Sequence, residues 1–260
     1  MNFKDGVYEV TEIGDKTYLI DEKTSTMFVL IGEERALVID CGTGIGDFKG
    51  VVEKLAGSLP YDLAVTHTHV DHIGGRGQFE DMFVSAADSK YIKGVTPTMR
   101  KGYVFINAMT MGGSPFEKKL FPAKNEPRIH IMSEGDVFDL GSRHIKVFMT
   151  PGHTVGSVSF LDIENRTIYI GDVANENLLM MLPHATTIDE MNETIRKIIS
   201  IDGYDTVWAS HHTEPFGREK LYEFLNGGEK IAQNKNTPVP LVKLQNDNGN
   251  KIVYRTNRIH

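Results

Sequence analysis

The amino-acid sequence predicts an α/β fold made of two β-rich halves, and three observations carry that prediction. Each half runs through short strands, then one helix, then another strand. The halves match in detail: "ALVID" ends at Asp40 and "TIYIGD" at Asp172, each precedes a helix, and the strand after each helix opens with Tyr-Asp, at Tyr61 and Tyr204. Finally, "LAVT" and "TVWA" are almost continuously apolar, as strands buried on both faces are when sheets pack face to face with helices outside.

Taken in order, "VYEV", "TYLI", "TMFVLIG" and "RALVIDCG" are β-rich runs separated by turn signals, which predicts an antiparallel meander over residues 7 to 41. From Asp47 to Leu59, Phe48, Val51, Val52 and Leu55 fall at helical spacing, and "YDLAVTHTH" follows as a buried strand. The second half offers "HIKVFMT", "SVSFLDI" and "RTIYIGD" as strands, the helix "TIDEMNETIRKIISI", and the strand "YDTVWASHH". Residues 94–127 fit neither half. Rich in glycine, proline, methionine and aromatics, they read either as a loop with a short helix covering core or as a lid over a site. A tail over residues 227–260 carries a polar linker and a hairpin, "VPLVKLQ" and "KIVYRT", around "NDNGN". All of this is expected to form a single domain spanning residues 1–260.

At 260 residues and 40% hydrophobic content, the chain has material for a sizeable core. A formal charge of -7 argues against a broad nucleic-acid footprint and favours a small-molecule substrate. Cys41 is the single cysteine, so no internal disulfide forms, and "MNFKDGVYEV" carries charges where a signal peptide is apolar. A cytoplasmic protein is expected. Apolar runs stop well short of the roughly 20 residues of a membrane span, so no membrane association is expected either. Oligomeric state leaves no mark in the sequence.

Chemistry concentrates in "AVTHTHVDHIGG", residues 64 to 75. On an extended strand, side chains two apart point the same way, so His67 and His69 can grip one metal ion. Asp71 and His72, where the chain turns, can face a second ion roughly 3.5 to 4 Å away. Imidazole nitrogen and carboxylate oxygen are ligands that zinc accepts. "TPGHTVGS" adds His153 and "YIGDVAN" adds Asp172 at strand ends. In "VWASHHTEP", His211 and His212 point oppositely if the strand continues, and register favours His211 as the ligand.

"HTHVDH", followed by "GH", "GD" and a late strand-end histidine, resembles the metallo-β-lactamase superfamily of metal-dependent hydrolases, over residues 7 to about 217. The resemblance implies a four-layer αβ/βα sandwich of two mixed β-sheets flanked by helices, with a dinuclear site along one sheet edge. His67, His69 and His153 would hold the first metal, Asp71, His72 and His211 the second, and Asp172 would bridge them. Asp40 falls where the family keeps a structural aspartate behind the ligand loop; a solvated turn aspartate is the alternative. Cys41 reads as a small buried hydrophobe, since no base is signalled beside it.

Two divalent ions, zinc first with iron or manganese as alternatives, would share a bridging hydroxide, and Asp71 would orient it or accept its proton. No G-x-S-x-G elbow competes with that mechanism. The leading expectation is hydrolysis of a small ester, thioester or lactone, with a small phosphodiester or an iron-dependent oxidoreduction as alternatives. Met99, Tyr103, Phe105, Met109, Met111 and "NLLMMLP" supply apolar surface that suits an acyl or aryl group, or ordinary core packing. A non-catalytic metal-binding or partner-binding module is the remaining reading, and the full set of ligand-type residues argues against it.

Overall fold

A computed structural model describes residues 2–107, 120, 126–247 and 249–260, and the chain divides into two compact units. The first comprises Met1–Met132 and Asp136–Ile145, the second Ser133–Gly135 and Lys146–His260. Among the described residues, no helix is long and apolar enough to cross a membrane.

In the first unit, the antiparallel meander forms as expected, from β1 (Phe3–Asp5), β2 (Tyr8–Gly14), β3 (Thr17–Asp21), β4 (Thr26–Ile31) and β5 (Ala36–Ile39). Every residue of β4 and β5 is buried, the structural counterpart of their unbroken apolar runs. Helix α1 (Phe48–Ala56) follows, capped by the Asp47 carboxylate on the Gly50 N–H. It buries Phe48, Val51 and Val52 on the stripe that sequence spacing predicts. Then β6 (Tyr61–Ala64) pairs parallel with β5, Ala36 facing Tyr61. Next come α2 (Val70–Ile73), β7 (Asp81–Ser85), α3 (Ala86–Ser89), α4 (Pro97–Asn107), β8 (Arg128–Met132) and β9 (Val137–Asp139). β7 and β8 extend the sheet in parallel, so the eight strands stand in chain order from β1 to β8, antiparallel at one end and parallel at the other.

The second unit repeats that strand–helix–strand plan. Strands β10 (His144–Met149), β11 (Val158–Asp162) and β12 (Thr167–Tyr169) are followed by β13 (Asn177–Met180), α5 (Ile188–Ser200), β14 (Thr206–Trp208), α6 (Glu219–Ala232), β15 (Val242–Asp247) and β16 (Asn250–Arg255). β12 and β14 pair in parallel around α5, as β5 and β6 do around α1. The sheet runs β14-β12-β11-β10, and β13, β16 and β15 form a small mixed sheet of their own. Ile188, Met191, Ile195 and Ile198 of α5 share a core with Phe224 and Leu221 of α6.

The fold is therefore α/β, with mixed sheets and flanking helices. Several boundaries differ from expectation. The tail does not begin at 227 as a linker, because α6 continues to Ala232, keeping Gly227, Gly228 and Ile231 buried. Of the stretch 94–127, residues 97–107 are α4; residues 108–119 and 121–125, including Met109 and Met111, lie outside the described residues. Leu178 and Met180 of "NLLMMLP" belong to the core of the second unit, where core packing accounts for them.

Packing and capping contribute unequally here. Ile20→Ala, which empties a fully buried site, is expected to cost about 2–5 kcal/mol. Thr187→Ala, which removes the side-chain cap on the Glu190 N–H of α5, should cost about 1 kcal/mol. Denaturant unfolding of both variants checks the ranking, and a larger loss at Thr187 would contradict it.

Candidate metal centre

In the first unit, β6 ends at Ala64, so His67 and His69 sit in the connection to α2 and not on the strand as the spacing had implied. Their alternation survives because the interleaved threonines are each tied to a buried acid. The Thr66 N–H donates to Asp40 Oδ1 at 2.7 Å, and its hydroxyl to Oδ2 at 2.8 Å. The Thr68 N–H donates to Asp88 Oδ2 at 2.9 Å. Asp88 is wholly buried on α3, and sequence reasoning missed it: nothing local links position 88 to position 68.

Asp40 fixes more than a backbone. An ionised carboxylate only accepts hydrogen bonds, so His72 Nδ1, 2.8 Å from Asp40 Oδ2, carries a hydrogen, and in the neutral ring the lone pair is then on Nε2. The single Thr66 hydroxyl hydrogen is already committed to Asp40. Thr66 Oγ1 must then accept from His67 Nδ1, 3.1 Å away, which puts the His67 lone pair on Nε2 as well. One buried acid thus selects the tautomer of two histidines. His67 Nε2 lies 3.1 Å from His69 Nδ1, and His72 Nε2 lies 3.9 Å from Asp71 Oδ2.

Backbone packing brings these groups together. Asp40 adopts φ 64°, turning the chain sharply as β5 ends, and the Cys41 N–H donates to the His72 carbonyl at 2.8 Å. A β-carbon on Gly75 would come within 2.2 Å of the Cys41 carbonyl oxygen, and one on Gly74 within 2.4 Å of that of Thr43. The two glycines after the histidine motif are required by this close approach. Cys41 itself is buried and its thiol is pushed up by burial and by Asp40, which fits a packing role.

Behind the loop lies Glu22, another residue the sequence did not signal. It is buried and accepts from the Thr43 N–H at 2.6 Å, while Ser25 Oγ, 3.1 Å from Glu22, also reaches the Asp71 carbonyl at 2.7 Å. From α4, Arg100 donates to the carbonyls of Thr43 and Gly44, and the Tyr103 hydroxyl donates to Asp71 Oδ2 at 2.7 Å.

In the second unit, His153 lies in the connection after β10, Asp172 follows β12, and His211 follows β14. Two imidazole nitrogens converge on one carboxylate oxygen, His153 Nε2 at 3.5 Å and His211 Nε2 at 3.2 Å from Asp172 Oδ2. The strand β14 has already ended at Trp208, so register does not decide between the adjacent histidines. Backbone conformation does: His211 has φ 68°, a left-handed turn that aims it at Asp172. His212 instead packs edge-on against Phe216, ring centroids 5.8 Å apart, and burial lowers its pKa.

The donor set fits divalent metal. His67 and His72 each present a lone pair at Nε2, His69 faces the first of these, and Asp71 stands beside the second. The Asp172 carboxylate has two imidazoles on one oxygen, an arrangement suited to a shared cation.

Residues 20–211 match the sequence model of the Metallo-beta-lactamase superfamily. The chain is 26% identical over 213 residues to the acyl-coenzyme A thioesterase MBLAC2 of Gallus gallus, covering 78% of this chain and 77% of that protein. It is 25% identical to the Homo sapiens protein of the same name, covering 84% and 86%. Among solved structures, a metallo-beta-lactamase from Pontibacter korlensis superposes with a TM-score of 0.61 at 17% identity, over 85% of this chain and 99% of that one. The sec-alkylsulfatase Pisa1 from Pseudomonas sp. gives 0.65 at 15%, over 86% and 42%. The likeness to both structures is one of fold.

Glu22 supplies a pH test. Burial, aided by the charge of Asp71, raises its carboxyl from 4.5 to about 7. The folded protein then holds a proton that the unfolded chain releases, so this group's contribution to stability falls as pH rises from about 4.5 to about 7 and is level above. The change amounts to about 3 kcal/mol. In chelator-treated protein, Glu22→Gln should lose that slope relative to wild type; parallel stability–pH curves would show that Glu22 does not titrate there.

Proposed function

Since the chain belongs to the metallo-β-lactamase superfamily, we propose that it is a metal-dependent hydrolase of acyl thioesters working at a dinuclear centre. The observation that carries this reading is the hydrogen-bond chain from Asp40, which engages Nδ1 of His67 and His72 and so directs Nε2 of each ring to a metal. The choice of thioester rests on the acyl-coenzyme A thioesterases among its relatives.

In this reading His67, His69 and His153 would hold one ion and Asp71, His72 and His211 the other, with Asp172 as a further carboxylate ligand. Two divalent ions, with zinc as the first candidate, would lower the pKa of a water and polarise the thioester carbonyl. Asp71 orients the attacking water and accepts its proton as oxygen bonds to the acyl carbon. The C–S bond then breaks, and the thiolate departs without needing an acid, because a thiol is far more acidic than an alcohol. On α4, Met99, Tyr103 and Ile106 follow one another at i, i+4 and i+7, with Met99 53% and Ile106 77% exposed. With Tyr103 bonded to Asp71, this stripe offers the acyl chain an apolar surface beside the reacting carbon.

Purified protein is expected to contain about two divalent ions per chain and to hydrolyse acyl thioesters, losing both metal and activity on chelation. Asp71→Ala should abolish turnover while one ion remains bound. Metal analysis joined to a panel of thioesters, oxygen esters and phosphodiesters checks this; preference for phosphodiesters, or far less than one ion per chain, would refute it.

The adjacent histidines separate in the same assay. His211→Ala should strip one ion, whereas His212→Ala should retain both and lower activity about 10- to 100-fold at most. Loss of metal in His212→Ala with retention in His211→Ala would reverse the assignment.

A further inference from the structure

We propose that Tyr103 is the positioning residue for Asp71: its hydroxyl locks the carboxylate so that Oδ2 faces the same ion as His72 Nε2. The inference deepens the dinuclear reading above and rests on it for the identity of what the carboxylate binds.

An aspartate side chain turns freely about its last bond, since that torsion has a broad, roughly two-fold profile. Asp71 is restrained at both ends. Its carbonyl accepts from Ser25 Oγ at 2.7 Å, which anchors the first turn of α2. Its carboxylate accepts from the Tyr103 hydroxyl at 2.7 Å, and the direction is fixed because an ionised carboxylate has no hydrogen to give. The oxygen chosen is Oδ2, the one 3.9 Å from His72 Nε2.

Because Nδ1 is engaged by Asp40, His72 turns Nε2 toward Asp71 Oδ2, 3.9 Å away. The tyrosine holds the carboxylate in that orientation, so less reorganisation remains when a cation binds.

Tyr103 can do this because α4 is not free to move it. Arg100, one turn earlier on the helix, is buried and donates to the Thr43 and Gly44 carbonyls, and Val104 packs on Ile45. The hydroxyl is carried to Asp71 by a helix pinned to the loop next to Asp40. Tyr103→Phe removes only the oxygen and leaves the ring in its apolar contacts.

The test titrates Zn2+ or Co2+ into chelator-stripped, full-length protein by calorimetry, with the cobalt absorption spectrum as a second readout. Wild type should take up two ions. Tyr103→Phe should bind one with unchanged affinity and the other about 10- to 100-fold more weakly, with an altered cobalt spectrum for that ion. Wild-type affinity for both ions in Tyr103→Phe would overturn the proposal. A metal-free readout keeps the two readings apart: Asp71→Ala should perturb the tyrosine ultraviolet absorption of otherwise wild-type protein and have no such effect in Tyr103→Phe. Uptake of fewer than two ions by wild type would defeat the dinuclear reading, whereas the absence of that ultraviolet perturbation would defeat the role of Tyr103 itself.

Discussion

Everything proposed for the first unit's site depends on one buried carboxylate. Asp40 is 1% exposed and accepts hydrogen from the Thr66 amide, the Thr66 hydroxyl and His72 Nδ1. Because it can only accept, it dictates the direction of every bond that touches it, and through the single hydrogen of Thr66 it dictates the next bond as well. A neutral amide at position 40 would offer donors where acceptors are required, and both histidines could then present the wrong nitrogen. The low dielectric of the interior strengthens each of these bonds, and the same burial makes an unmatched donor costly. The left-handed backbone at Asp40 is the strain that this arrangement carries, offset by three hydrogen bonds.

The second unit uses the same physics differently. Asp172 receives two imidazoles on one oxygen, and one of them, His211, arrives through a left-handed residue after a strand that has already stopped. Strand register would have named His211 too, but through a periodicity the chain no longer obeys at that point. A positive φ at a non-glycine residue is uncommon and persists only where its surroundings enforce it. Its occurrence at both Asp40 and His211 marks two strand ends at which the chain turns to deliver a polar side chain.

What was legible in the sequence was whatever depends on neighbours along the chain. Residue alternation in "THTH", the helical stripe of α1, the unbroken apolar runs of β4 and β5, and the parallel plan of the two halves are all local patterns, and each has a structural counterpart. Asp88, Glu22 and Ser25 were not legible as site residues, and Tyr103 was legible only as apolar surface, not as a partner of Asp71. Asp88, Ser25 and Tyr103 meet the motif across separations of 20, 46 and 32 residues, and Glu22 meets the adjoining loop at Thr43 across 21, through hydrogen bonds that no periodicity encodes. Boundaries failed for a related reason. "VTHTH" has strand-like composition, yet the residues after Ala64 bond to acids from other elements.

The stretch after residue 94 shows why composition alone could not decide between lid and core. Methionine, aromatics and glycine suit both, and the distinction lies in which residues of one helix are buried. Arg100 and Val104 of α4 are the buried pair, while Met99, Phe105 and Ile106 are exposed. An arginine is seldom buried without several acceptors, and here two carbonyls of the loop beside Asp40 supply them. A helix held in that way is part of the frame of the site. Its polar anchor faces the backbone that carries Asp40, its tyrosine reaches Asp71, and its remaining apolar residues are left for whatever approaches from solvent.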